Sequence, residues 1–169
     1  MLHIAPEACF VKKLGASPCI DYLTADLTDT AMIRMDITDI QYPDNSFDVI
    51  YCSHVLEHIP DDRKAMRELA RILQPSGWAI LQVPLAIGNS VEDLSITDPK
   101  ERERYFGQHD HVRVYGHDYK DRLVDAGFTV NVVKYMEGFS QAERIALGLA
   151  TGCGNIYLCT AHGKTHSCM

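Results

Sequence analysis

The densest run of chemically capable side chains in this sequence is His54-Val55-Leu56-Glu57-His58. The pattern H-x-x-E-H is that of inverted zinc peptidases, in which two histidines on one helix face hold the metal and the carboxylate serves as general base. Its setting argues against that chemistry, because the run lies at a strand-to-helix junction and Pro60 disfavours a helix through Ile59. A second run, His109-Asp110-His111, is an alternating triplet of ligand-type residues, a pattern commoner in polar surface turns. No resident metal is therefore expected. His54 and His111 remain as groups that titrate near neutral pH and can take or give a proton. His54 is open between that role and the role of a hydrogen-bonded histidine packed beneath a sheet. Asp26 and Asp36 each close a strand-like segment, a place where an aspartate on its own most often forms a turn or a cap.

The elements around these residues alternate between strand and helix. Residues 2–5 read as a strand, 7–14 as a short helix, 15–18 as a turn and 21–27 as a second strand, followed by a short third strand from Met32 that ends in Asp36. Residues 47–52 are an apolar, β-branched and aromatic run of strand length, opened by Pro43-Asp44-Asn45-Ser46 and best suited to a buried parallel sheet. Asp61 or Asp62 caps a helix in which Met66, Leu69, Ala70 and Leu73 recur on one face, and Pro75-Ser76-Gly77 is expected to stop it before a fifth strand over 78–83. Residues 88–97 have loop composition, and Asp98-Pro99 reads as the cap and first turn of a charged helix to Phe106. A helix over 118–126 stopped by Gly127 and an alternating strand over 128–133 add one more unit. Ser140-Gln141-Ala142-Glu143 is a capping-box pattern opening a helix to Ala150, after which 151–154 turn into a last strand over 155–161. This predicts one domain over 1–161 and a polar, disordered tail over 162–169.

Composition sets the outer limits. A chain of 169 residues is large enough to bury ~70% of its unfolded surface in a single core. Hydrophobic content of 46% and charged content of 23% are ordinary for a globular protein, and no apolar run approaches the ~20 residues of a membrane span. The opening MLHIAPEACF has no basic region followed by a long apolar stretch, so a cytoplasmic location is expected. The six cysteines show no CxxC pairing and read as reduced thiols. A net charge of -7 weighs against nucleic acid as partner, and the basic residues of 100–104 alternate with Glu101 and Glu103 as on a solvated helix face.

The stretch DITDIQYPDNSFDVIYCSHVLEHIPDDRKAMRELARILQPSGWAILQVP closely resembles the class I methyltransferases that use S-adenosylmethionine, in their broad small-molecule-type group. The resemblance implies an α/β fold: a Rossmann-like, mainly parallel sheet of about seven strands with helices on both faces and an antiparallel last strand between the fifth and sixth. It also implies a cofactor at the carboxyl ends of the first strands. Asp26, with Leu27 beside it, matches the acidic residue that accepts from both ribose hydroxyls, a task suited to an acceptor-only carboxylate. Asp36 and Ile37 match the pair that accepts from the adenine amino group and covers the ring. Ser53 and His54 stand where the family faces the methyl group and substrate. The run from His109 to Phe128 resembles the segment before strand six, which makes His111, Arg113 and Tyr115 substrate-side candidates, with a small molecule as the expected acceptor.

Three features depart from the family pattern. The glycine-rich turn after strand one is replaced by His3-Ile4-Ala5-Pro6-Glu7-Ala8-Cys9, with Ala5, Glu7 and Cys9 at the glycine positions and Pro6 lacking an N–H to donate. Within it Ala5, Pro6 and Glu7 are the cofactor-side candidates; Glu7 either favours the cofactor's positive charges or complements the helix dipole. Too few residues separate strands two and three for a crossover helix, so strand three is very short and offset, or that sheet edge is irregular. Strand one also begins at the start of this sequence, without the helices that commonly cover the cofactor, so an open cleft is expected.

Overall fold

The computed structural model describes residues 1–147, 149 and 155–161. The expected turn over 151–154 and the tail over 162–169 lie outside the described residues, and the helix expected to reach Ala150 already ends at Ala146. The first three strands are β1 (Leu2–Ile4), β2 (Leu23–Asp26) and β3 (Ile33–Arg34), with α1 (Ala8–Gly15) between the first two. Then come β4 (Phe47–Ser53), a 3-10 turn (Leu56–His58), α2 (Asp62–Ile72) and β5 (Leu73–Gln82). The remainder comprises β6 (Val91–Glu92), α3 (Pro99–Phe106), β7 (Arg113–Val114), α4 (Tyr119–Asp125), β8 (Phe128–Val133), α5 (Gln141–Ala146) and β9 (Ile156–Ala161).

The sheet runs β3-β2-β1-β4-β5-β9-β8. The pairs from β3 to β5 are parallel, and β9 enters antiparallel to both β5 and β8, as the resemblance implies. The chain builds outward from β1 to β3, returns, and builds outward again from β4. The carboxyl ends of β1 and β4 therefore frame a switch point, the place where open α/β sheets bind ligands. The core beneath is continuous: Leu2, Ile50, Cys52, Ala79 and Leu81 from the strands meet Ala65, Met66, Leu69 and Ile72 on the inner face of α2, all fully buried. Asp61 caps α2 by accepting from the Lys64 amide, and Asp98 caps α3 by accepting from those of Lys100 and Glu101. The capping box at Ser140 and Glu143 is formed in full.

β3 is two residues long, which answers the missing crossover. Its register with β2, Ala25↔Ile33 and Asp26↔Arg34, asks the chain to return by only a short distance, and the Thr24 hydroxyl holds the corner by accepting from the Met32 amide. Two expectations are corrected. Pro75-Ser76-Gly77 does not follow α2 as a stop; Leu73 is already extended and these residues form an irregularity inside β5, where the register with β4 jumps from Phe47↔Leu73 to Val49↔Trp78. Proline brings no N–H to a ladder, and a Cβ on Gly77 would stand 2.6 Å from the Asp48 carbonyl oxygen. The stretch 88–97 is also not all loop, because β6 pairs antiparallel with β7.

That small ribbon anchors a buried ionic knot. Arg113, 1% exposed, donates through Nε to Glu92 at 3.0 Å, through Nη1 to the carbonyls of Leu56 and Ile59, and through Nη2 to that of Pro60 at 2.8 Å. Asp62 accepts from the Tyr115 hydroxyl at 2.6 Å and from Arg122 at 3.1 Å, and Arg122 also reaches Glu92. The knot ties the turn after β4 to α2, α4 and the β6–β7 ribbon.

Two stability measurements follow. Gly77→Ala is expected to cost about 1–3 kcal/mol in urea unfolding, since the added methyl meets backbone; an unchanged midpoint would contradict the close approach. Arg113→Met is expected to cost about 3–5 kcal/mol, because the carbonyls of Ile59 and Pro60 lose their donor and the carboxylates of the knot lose one of their two arginines. An arginine that served only a substrate would leave the midpoint where it was.

Candidate functional site

Three strand ends meet at one cleft. Its walls are Ile4 and Ala5 from the end of β1, Asp26 and Leu27 from the end of β2, Met35 and Ile37 beyond β3, and Val55 and Ile59 from the turn after β4. Its enclosed part measures about 70 Å³, so a nucleoside would lie in it as in an open groove. Ala5 turns the corner at φ 48, the left-handed region that glycine would adopt without strain. Its amide donates to the Ala25 carbonyl at 2.8 Å, which ties β1 to β2 at the rim.

Both aspartates combine the bland role with spare capacity. Asp26 Oδ1 accepts from the Thr28 amide at 2.9 Å and from its hydroxyl at 3.0 Å, and Asp36 Oδ1 accepts from the Thr38 amide and hydroxyl, each at 2.8 Å. Each thus builds a local turn with one oxygen. Among the described residues Oδ2 has no hydrogen-bond partner in either case, and a carboxylate oxygen can accept two bonds. Asp26 lines the cleft and presents that capacity to a diol; Asp36 is exposed at its outer edge, and the buried Ile37 supplies an apolar wall suited to an aromatic ring. The residues present therefore fit an adenosine group.

The rebuilt first loop has its own logic. His3 is fully buried between the Tyr22 hydroxyl, 2.7 Å from Nδ1, and the Glu7 carboxylate, 2.7 Å from Nε2. A carboxylate can only accept, so a neutral His3 with its proton on Nε2 satisfies both neighbours at once. Glu7 occupies the N-cap position of α1 but makes no side-chain cap bond. Neither Pro6 nor Glu7 lines the cleft. The His3–Tyr22 contact joins residues whose partnership has no local sequence pattern, and sequence reasoning missed it.

Beyond β4 the second half of the site is built on the Leu56–His58 turn. His54 adopts φ 56, its amide donates to the Gln82 carbonyl at 2.9 Å, and its side chain is 61% exposed. It is therefore not packed beneath the sheet. The H-x-x-E-H run is not helical, so His54 and His58 do not share a helix face. Instead Glu57, His58 and His111 converge, with one potential ligand atom of each lying within 4.8 Å of the others. Glu57 is 1% exposed, and burial, reinforced by the nearby Asp110, pushes its carboxyl up to about 7 even though Arg113 opposes the shift. Burial also lowers the His58 pKa, with a contribution from His111, against the pull of Asp110. His111 also borders a cavity of about 250 Å³ together with Pro84, Leu85, Ala86 and Phe106, next to the carboxyl end of β5. Arg113 borders this cavity while its donors go to the knot, and Tyr115 is fully buried against Asp62, which corrects the expected position of the tyrosine facing the substrate; both hold the turn in place. Sequence reasoning weighed Glu57 only within a peptidase motif, although a glutamate flanked by Val55, Leu56 and Ile59 already signals a buried carboxylate.

Comparison with known proteins agrees with this geometry. The family model described as a methyltransferase domain matches residues 8–81. A ubiquinone/menaquinone biosynthesis C-methyltransferase of Bdellovibrio bacteriovorus is 41% identical over 49 residues, which is 29% of this chain and 21% of that protein. A demethylmenaquinone methyltransferase of Listeria welshimeri is 36% identical over 53 residues, 31% of this chain and 22% of its own. The matched stretch thus spans about a fifth of the length of these curated relatives. Among solved structures, the YcgJ protein of Bacillus subtilis superposes with a TM-score of 0.59 at 20% identity, covering 94% of this chain and 86% of that one. An S-adenosylmethionine-dependent methyltransferase from Mesorhizobium loti gives 0.60 at 16% identity, covering 94% and 88%. Residues 8–81, from α1 into β5, thus match a methyltransferase domain, and the sheet order with its cleft at the switch point is that of the class I, Rossmann-like methyltransferase fold.

Proposed function

We propose that this protein transfers a methyl group from S-adenosylmethionine to a small-molecule acceptor, the cofactor lying across the ends of β1, β2 and β3 and the acceptor over the ends of β4 and β5. The observation that carries the reading is the convergence of Ala5, Asp26, Leu27 and Ile37, from three separate strand ends, on one cleft. When bound, the cofactor supplies an electrophilic methyl group and a thioether leaving group. The protein's own contribution is then to hold, align and exclude water. Asp26 accepts from the ribose hydroxyls, Asp36 from the adenine amino group, and Ile37 and Leu27 cover apolar surface. Ser53 and His54 face the transferring group, and Ala5, Pro6 and Glu7 border the cofactor's amino-acid end.

The cavity beside His111 is of small-molecule size and mostly apolar in its lining, which supports an acceptor of that class. The names of the curated relatives make a quinone precursor the first acceptor to assay. Where the acceptor must lose a proton, His54 is placed to take it from the solvent side and His111 from the cavity side. The exposed thiols of Cys9 and Cys19 suit a reducing, cytoplasmic setting. Among the described residues no helix is long and apolar enough to cross a membrane.

Calorimetric titration with S-adenosylhomocysteine is expected to show saturable binding, and Asp26→Ala to weaken it by about 10–100-fold, the worth of hydrogen bonds to a charged acceptor. Equal affinity in the variant would remove Asp26 from the site. With a working acceptor, His54→Ala or His111→Ala is expected to lower turnover by about 100-fold or more; if both variants turn over like the parent, neither residue is the base.

A further inference from the structure

The sequence reading assigns no metal to this chain, yet the folded turn after β4 assembles what a cation needs. We propose that Glu57, His58 and His111 form a binding site for one first-row divalent cation of the zinc, cobalt or iron(II) type. The two histidines are preset as ligands. His111 Nδ1 lies 3.1 Å from the Phe106 carbonyl oxygen, and His58 Nδ1 lies 3.2 Å from Asp110 Oδ2. Both acceptors require the proton on Nδ1, so both rings keep a lone pair on Nε2, which in His111 serves either the cation or an acceptor's proton and not both at once. Fixing a ring by a carbonyl or carboxylate on its far nitrogen is the arrangement that supports metal-bound histidines. The rings stand edge to face with centroids 4.7 Å apart.

The third donor supplies an independent observation. Glu57 is 1% exposed, and among the described residues neither of its carboxylate oxygens has a hydrogen-bond partner. An orphaned buried carboxylate is costly, and proteins that retain one give it a proton, a counter-charge or a metal. The Nδ1 of the exposed His54 lies 3.5 Å from Oε1 and makes no hydrogen bond to it. Arg113, which could have paired with Glu57, spends its donors on Glu92 and on the carbonyls of the turn. Two imidazoles and one carboxylate form a donor set suited to zinc and iron(II) and unsuited to magnesium or calcium, which favour oxygen ligands throughout. Three protein ligands leave positions for water or for an oxygen of the acceptor in the cavity beside His111. The binding of the cation stands without the methyl-transfer reading, whereas its use in seating a hydroxylated acceptor rests on that reading.

The test uses the full chain, stripped with chelator and dialysed, titrated with zinc chloride by calorimetry and with cobalt chloride by visible absorption. The expected result is one equivalent bound and a cobalt d–d band without the thiolate charge-transfer bands that Cys9 or Cys19 would give. Glu57→Gln and His111→Ala are each expected to weaken binding at least tenfold while retaining a cooperative thermal transition, and His109→Ala is expected to bind as the parent does. Absence of saturable binding, or unchanged affinity in both Glu57→Gln and His111→Ala, overturns the site. A parallel titration with S-adenosylhomocysteine separates the outcomes, because loss of nucleoside binding bears on the methyltransferase reading alone.

Discussion

The guanidinium of Arg113 is the constraint on which the working end of this protein depends. The chain leaves β4 in a single 3-10 turn that pairs the Leu56 carbonyl with the Ile59 amide but leaves those of Ile59 and Pro60 to Arg113. Arginine answers this with several donors in one rigid plane, and Glu92 balances its charge. The same turn carries Val55 and Ile59 into the cleft at the strand ends and Glu57 and His58 toward His111. One buried cation thus sets both halves of the site. A shift of the turn would move the cleft wall and the converging donors together.

The cleft at the ends of β1 and β2 is built without the glycine turn that the family resemblance implies. A left-handed residue at the end of β1 is still present, but it is Ala5, at a backbone cost of about 1 kcal/mol that glycine would avoid. The glycine-free loop is braced by the buried His3 between Tyr22 and Glu7, so that α1 is joined to the sheet by side chains. Phe10 and Tyr51 extend this brace, their ring centroids 5.4 Å apart. The amino-acid end of a bound cofactor would therefore meet a stiffer and more polar loop than the glycine turn of its relatives.

Much of the fold was legible because its signals are local. Asp98-Pro99, Ser140 with Glu143, the apolar face of α2 and the alternation in β8 each act over a few residues, and each formed where its chemistry pointed. Elements that depend on distant partners were not legible. Nothing in Val91-Glu92 announces a strand, since β6 exists through pairing with Arg113 and Val114. The irregularity at Pro75-Ser76-Gly77 reads as a helix stop until β4 is seen drawing Leu73 into the sheet. That Asp26 and Ile37 would line one cleft could be expected from strand ends and family likeness, whereas the convergence of Glu57 and His58 with His111 closes across more than fifty residues and has no local pattern.

The central claim is that an adenosine group lies at the switch point between β1 and β4, held by Asp26 despite the altered first loop. A crystal structure of the protein with S-adenosylhomocysteine tests it most directly. The account predicts both ribose hydroxyls within hydrogen-bonding distance of Asp26 Oδ2 and the adenine against Ile37, its sulfur facing His54. A nucleoside bound elsewhere on the surface, with the cleft of Ala5, Asp26 and Ile37 left to solvent, would contradict it.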